Sequence, residues 1–429
     1  MRQKIVHEGI RFVFPFFLLT IFWQTRFSFL GTYHVYDYHI PYVYFSTVLI
    51  LILIALSMFI DKHWITKSWK CDEIMVVMTA LFFVVAGVGI VTQAIDQIAG
   101  WYRLITIIIF SRFVLWLWLH KNMYSVSYIM KYISLGLIPL VVLGVVQVLL
   151  GHTLGIKIIG EWSFSASNLG VANVTLFGFK TLRAYATFPH PNVFGAVMAI
   201  FSLYWANQWI ERSDFFVDKW TRFVPYFLGI FFVGMILSFS LTAWIAFFAG
   251  AVFYVPRMWQ KGSMRFNGGW SVIVFVFGLL FVSGLSYALV RLFSVDALSL
   301  TRRMALNDVA VRMFLDHPIF GVGLNQSILL VSSYWNTAFL PQFVQPTHNA
   351  WLLMLSEVGI LGMVLIVATG YQIIVRRFLI LPTFVRAMWV AIFVMTISDH
   401  YLVTLQSGLL LLFLTIGITL RYDVRSETT

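Results

Sequence analysis

Apolar stretches of about 20 residues, the length needed to cross a bilayer, recur along this chain from end to end. Twelve candidates centre near Phe17, Leu51, Phe83, Ile109, Val141, Met198, Phe231, Phe247, Val276, Gly362, Val390 and Leu411. Such a pattern leaves little choice of fold. Backbone groups in hydrocarbon must be bonded internally, so apolar segments cross as helices. The expectation is an all-α, polytopic membrane protein with about twelve transmembrane helices, forming a single integral membrane domain over residues 1–429. Composition closes the other classes. Charged residues are 11% of the chain, where a soluble domain carries about 25%. Disorder needs low hydrophobicity, yet 60% of the residues are hydrophobic. A single cysteine, Cys71, excludes a disulfide scaffold. The first apolar stretch, from about Ile10, lacks a small-residue cleavage site and reads as a retained helix.

The 29 Lys and Arg exceed the 17 Asp and Glu. In a soluble protein that excess suggests nucleic acid; in a membrane protein it reports sidedness. With the spans alternated, about two thirds of the basic residues fall in short loops on the side of the termini, which places both termini in the cytoplasm. No nucleic-acid partner is needed. Two segments on the opposite, outer face are long, 151–191 and 292–347, and long connections are usually functional.

The first long loop closes with Arg183 and then His190-Pro191-Asn192, a helix-start pattern. Arg183 therefore sits just before the membrane, as an anion contact or an interfacial anchor. In the second loop Met304, Leu306, Val309, Val311, Met313 and Phe314 form a helix-like apolar pattern ended by Pro318. This amphipathic helix is expected on the membrane surface, with Arg302 and Arg303 at its start. Pro346-Thr347 signals a helix N-terminus that places His348 in the first turn of the next span. A helix N-terminus disfavours imidazolium, a neutral imidazole can act as a general base, and the helix end presents N–H groups to an anion. Glu357 lies about 14 Å further along the same helix. An embedded carboxylate there faces a bundle interior or cavity, as a substrate contact or a buried helix tie. Asp399-His400, at the outer end of the eleventh span, is a weaker candidate. No two-His-plus-carboxylate cluster stands at metal-ligand spacing, and there is no Walker loop or nucleotide fingerprint. No metal and no cofactor is expected.

These residues also carry a resemblance. His348-Asn349, nine residues, then Gly359-Ile-Leu-Gly362 resembles the H-[NSQ]-x9-G-x-x-G signature of the O-antigen ligase and polymerase superfamily of bacterial lipid-linked glycan transferases. Arg303 followed by His317-Pro318-Ile-Phe-Gly321-Val-Gly323-Leu324 is similar to the family's arginine and hPxxGvGl segment, and Arg183…Thr187-Phe188…His190-Pro191-Asn192…Gly195 to its R…GTF…hPN…G segment. The likeness covers roughly 180–370. Three positions depart from it: Leu241 follows Ser240 where many members carry arginine, Ala186 replaces a glycine, and Asn307 a common tryptophan.

The resemblance implies a GT-C-type fold and an inverting, metal-independent glycosyltransferase of the bacterial inner membrane. Its donor would be a glycan on undecaprenyl pyrophosphate, handled on the periplasmic face. A ligase would transfer it to lipid A-core; a polymerase would join it to a second lipid-linked glycan. Arg183 and Arg303 would hold the pyrophosphate, since arginine binds phosphate oxygens bidentately, with Arg302 auxiliary. His348 would take the acceptor proton. Asn349 and Glu357 are further candidate substrate contacts. Tyr334, Trp335 and Phe343 could stack on sugars or anchor the loop at the membrane interface. A flippase or transporter is the alternative of a different class; it predicts paired embedded charges and broken helices.

Overall fold

The structure is a computed structural model, described over residues 2–28, 40–60, 71–176, 179–211, 221–260, 297–335 and 344–422. Its helices are α1 (Arg2–Thr20), α2 (Phe45–Ile60), α3 (Glu73–Gln93), α4 (Gln97–Leu119), α5 (Val126–Leu150), α6 (Pro191–Glu211), α7 (Val224–Ser238), α8 (Leu241–Ala251) and α9 (Val255–Gln260). There follow α10 (Ala297–Asp316), α11 (Ser327–Tyr334), α12 (Ala350–Ile373), α13 (Thr383–Ser398), α14 (Tyr401–Thr404) and α15 (Gln406–Thr419). Two short antiparallel pairs complete the description: β1 (Arg26–Ser28) with β2 (Tyr42–Tyr44), and β3 (Asn173–Leu176) with β4 (Phe179–Leu182). Eleven of the expected span centres, from Phe17 on α1 to Leu411 on α15, lie in helices. The twelfth, Val276, and the aromatic Phe343 lie outside the described residues.

Among the described residues, five helices are long and apolar enough to cross a membrane: α3, α4, α5, α6 and α12 with the turn that follows it. Five more, α2, α7, α8, α13 and α15, are shorter apolar helices. Polar residues start several of them. Asp72 accepts from Met75 N at 3.1 Å, and Asp96 from Ala99 N at 3.1 Å, capping α3 and α4. Hydroxyls inside the apolar helices bond back one turn, as Thr79 does to Met75 O at 2.8 Å and Thr415 to Leu411 O at 2.9 Å. On α3, Ile74, Val77, Leu81, Val84, Val88 and Val91 make a continuous exposed apolar stripe at heptad spacing. Water would oppose such a surface; lipid suits it.

The chain packs into two compact units, each assembled from non-adjacent pieces. One comprises residues 1–129, 296–381 and 396–429; the other 130–295 and 382–395. No linker marks them in the sequence because the chain passes between them repeatedly. In the first unit α12 packs on α3 and α10, α15 packs on α4, and α1 packs on α2. In the second, α6 packs on α7 and α8. There the indole of Trp205 bonds Ser134 Oγ at 2.8 Å, joining α6 to α5.

The sequence reads the tenth span as one continuous helix, but α12 is broken at Gly359, whose φ is 62° and ψ −168°. The broken turn is rebuilt from outside. Val322 N donates to Ser356 O at 2.8 Å and Gly323 N to Glu357 O at 3.1 Å. In the other direction Ile360 N donates to Pro318 O at 2.8 Å and Leu361 N to Ile319 O at 3.3 Å. Residues 318–323 thus take over the bonds the helix gives up, as broken helices at membrane depth require. Both glycines are needed. A Cβ on Gly359 would overlap the Ile319 carbonyl, and one on Gly321, at φ 68°, would overlap the Glu357 backbone. The two glycine motifs therefore meet in one joint.

Candidate active site

His348 stands at the start of α12, but not in its first turn. The helix begins at Ala350, and Asn349 caps it by accepting from Trp351 N at 3.0 Å and Leu352 N at 3.1 Å. The expectation chose Thr347 as the start signal. Its hydroxyl instead donates to Leu306 O at 3.1 Å, tying the segment to α10. A carboxamide oxygen reaches two amides where a hydroxyl already spent elsewhere reaches none. This also corrects the anion-site reading, because those two helix N–H groups are held by Asn349. Asn349 itself is fixed as a cap.

The imidazole of His348 is braced on both sides. Nδ1 lies 3.3 Å from Asp399 Oδ1, and Nε2 lies 3.1 Å from Gln345 Oε1. Asp399 is buried just past the end of α13, and its Oδ1 also accepts from His400 N at 2.8 Å. The His400 ring lies 5.3 Å from that of His348, tilted by 58°. His400 Nδ1 pairs with Thr404 Oγ1 at 2.7 Å. Burial pushes His400 down to about 4, with Asp399 opposing and His348 and Arg303 adding to the fall. Near pH 7 it is a neutral imidazole.

Arg303 belongs to the same corner. Helix α10 starts at Ala297, so Arg302 and Arg303 lie in its second turn instead of at its start. Arg303 Nη1 donates to Ser398 O, the last residue of α13, at 3.3 Å. A helix C-terminus carries partial negative charge and attracts a cation. Arg302 is half-buried beside it. The apolar face of α10 is narrower than the sequence suggests. Leu306, Val309 and Met313 are buried with Val322 and Val331, whereas Met304 and Val311 are exposed. Tyr334 and Trp335 pack against that cluster, which gives them a role beside the two offered by the sequence.

Glu357 is buried, and its carboxylate accepts from Asn325 N at 2.8 Å and from Ser327 Oγ at 2.7 Å, next to the joint at Gly359. It clamps the start of α11 to α12, the helix-tie alternative. Gln326 extends the clamp by exchanging two 2.8 Å bonds with the backbone of Asp96.

Arg183 lies in the second unit. It is buried, and its Nε donates to Ser238 O at 2.8 Å and its Nη2 to Asn192 Oδ1 at 2.7 Å. Ser238 ends α7, Phe239 turns the chain at φ 47°, and Ser240 caps α8. A Cβ on Gly195 would overlap Ser238 Oγ; the glycine lets α6 approach this turn.

The residue that sequence reasoning undervalued is Asp399, with its neighbour His400. Linear spacing shows no two-His-plus-carboxylate cluster, yet folding makes one. One ligand atom each from His348, Asp399 and His400 lie within 4.8 Å of one another. The signal available was an ionisable pair at the edge of an apolar span, which is costly and seldom idle.

No curated protein matches the chain. Residues 226–367 hold Arg303, His348, Asn349 and both glycine motifs; they match the O-antigen ligase family model and so support placing this membrane protein in the O-antigen ligase and polymerase superfamily.

Proposed function

We propose that this chain is an inverting, metal-independent glycosyltransferase, ligase-type, of the bacterial inner membrane. It moves a glycan from undecaprenyl pyrophosphate to a hydroxyl of lipid A-core on the outer face. The single observation that carries the reading is His348 held by Asp399 through one ring nitrogen, with Arg303 at the same helix end. A base oriented by a carboxylate is the recurring design for activating a hydroxyl. With Nδ1–H donated to Asp399, Nε2 presents its lone pair once the Gln345 carboxamide oxygen that now faces it has moved away. The acceptor hydroxyl would take the place of the Gln345 amide and give its proton to Nε2. Its oxygen attacks the anomeric carbon, the bond to the pyrophosphate oxygen breaks, and one displacement inverts the centre. The leaving pyrophosphate is a strong anion. Arg303, with Arg302 beside it, would supply charge-assisted donors to it.

A flippase reading gains one point from the broken helix at Gly359. Against it, the freed amides and carbonyls of the break are bonded to residues 318–323, as in a structural joint.

The test is product analysis in a deletion strain. Long lipid-linked glycan accumulating while lipid A-core stays bare identifies a ligase. Single repeats accumulating on the carrier identify a polymerase. Purified protein that moves lipid-linked glycan across vesicles but forms no glycosidic bond sinks the enzyme reading. Transfer is expected to continue in EDTA without nucleotide.

A further inference from the structure

We propose that His348, Asp399 and His400 form an inhibitory Zn2+ site, in which the metal occupies the nitrogen through which His348 is oriented and so silences it as a base. The inhibition rests on the general-base reading above; the metal site does not.

The donor set suits zinc: two imidazole nitrogens and one carboxylate oxygen, leaving the fourth tetrahedral position open. The spacing suits it as well. Ligands about 2.0–2.1 Å from Zn2+ stand roughly 3.3–3.4 Å apart in a tetrahedron. Here His348 Nδ1 is 3.3 Å from Asp399 Oδ1, and His400 Nε2 is 3.7 Å from the same oxygen. The three ligand atoms all lie within 4.8 Å of one another.

The hydrogen-bond network also sets the tautomer of His400. The hydroxyl of Thr404 donates to His400 O at 3.2 Å. Its oxygen is then the acceptor for His400 Nδ1–H at 2.7 Å. The proton is placed on Nδ1, and the lone pair of Nε2 faces the Asp399 carboxylate. A nitrogen lone pair directed at an anionic oxygen is an arrangement that a cation between them stabilises. Thr404 is also the outer partner that metal-ligating histidines usually have on their other nitrogen. Access is one-sided. The side chains of Asp399 and His400 are 5% exposed, and that of His348 is 16% exposed.

Binding follows a balanced course. Zn2+ takes the Nδ1 lone pair of His348, and the proton formerly on Nδ1 moves through solvent to Nε2. The ring remains neutral, but Nε2 now carries hydrogen and can accept no proton from an acceptor hydroxyl.

The experiment uses the purified full-length protein in detergent, stripped with EDTA. Titration with Zn2+ is followed by calorimetry, and Co2+ substitution by its visible absorption. One metal per chain is expected. His400→Gln and Asp399→Asn should each weaken binding at least about tenfold, the low end for losing even an outer partner. Glycan transfer should fall as Zn2+ fills the site and return with EDTA. In His400→Gln the zinc concentration for half-inhibition, relative to that variant's own metal-free rate, should rise by the same factor. Absence of binding, or binding that both variants leave unchanged, overturns the site. Stoichiometric binding at these residues with undiminished transfer leaves the site standing and removes His348 as the base. Loss of transfer in EDTA, restored by zinc, overturns the inhibitory role.

Discussion

Two arginines in this molecule make the same bond in different settings. Each donates to the carbonyl of the last residue of an apolar helix, Arg183 to Ser238 and Arg303 to Ser398. Arg183 is buried, holds two bonds at 2.7–2.8 Å, and joins a loop to a turn. Arg303 makes a longer bond of 3.3 Å from a half-buried position, within electrostatic reach of His400. A guanidinium already committed to two acceptors is expensive to withdraw; one with a single carbonyl acceptor among the described residues can turn to an anion at lower cost. The family resemblance treats the two alike. The structure separates a positioning arginine from one poised for a ligand.

The largest effects should appear at the corner beside Arg303. His348→Ala is expected to lower the transfer rate by about 10²–10⁴, the usual contribution of a general base, with insertion and thermal stability retained. Asp399→Asn should lose a large part of that rate because the ring loses its orienting acceptor. Full activity of His348→Ala in an assay with purified lipid-linked donor would remove the base from the mechanism.

Next comes the pair of arginines itself. Arg303→Ala should lower transfer by about 10²–10³, the scale for removing one donor to developing negative charge, while unfolding changes little. Arg183→Ala should lower stability as well, by roughly 1–3 kcal/mol, because Asn192 Oδ1 and Ser238 O lose a buried partner. Thermal unfolding measured beside activity separates them. Equal losses of stability in the two variants would erase the distinction.

A smaller set of contrasts concerns the joint in the first unit. Gly359→Ala adds a Cβ where φ is 62° and ψ −168°, a region costing about 1–3 kcal/mol for a non-glycine residue, and drives it into the Ile319 carbonyl. A fall in stability of at least about 3 kcal/mol is expected on denaturant unfolding in detergent. Gly370→Ala, inside the same helix and where a Cβ meets nothing within 4 Å, serves as the control and should hold stability or raise it by up to about 1 kcal/mol.

These contrasts show where the sequence was readable. Hydropathy located the helices because lipid-facing and buried positions are both apolar, which makes the spans hard to miss. Sequence did not distinguish Arg183 from Arg303, since both precede or flank an apolar segment; they differ in burial and in their acceptors, which only the fold decides. Asp399 was visible as an acid at the outer end of an apolar span and rated a weaker candidate, but its partner His348 is 51 residues away, and no local spacing reports such a pairing. The break at Gly359 was hidden for a similar reason. Its missing bonds are supplied by residues 318–323, so the helix keeps an uninterrupted apolar pattern. The start of α12 was misplaced by two residues because Thr347 and Asn349 are both good caps. Only the distant carbonyl of Leu306 decides between them.

The finest contrast lies beside Arg183, at Ala186, which stands where the resembling family carries glycine. Its φ of 51° explains the glycine: the left-handed region costs an L-residue about 1–2 kcal/mol. Alanine is nevertheless held there. Gln147 accepts from the N–H groups of Tyr185 and Ala186 at 3.0 and 2.7 Å and donates to Ala186 O at 2.8 Å. The same side chain bonds Glu161 at 2.8 Å, which in turn collects the amides of Leu154 and Ile156. Ala186→Gly relieves the strain but gives up a buried methyl worth about 0.8 kcal/mol and adds about 0.4–1 kcal/mol of unfolded-chain entropy. The two sides nearly cancel, so the melting temperature should barely move. Ala186→Val offers no such balance, because a β-branched residue at positive φ is a true outlier, and its melting temperature should fall. A clear gain for Ala186→Gly would mean that the Gln147 clamp holds more strain than its bonds return.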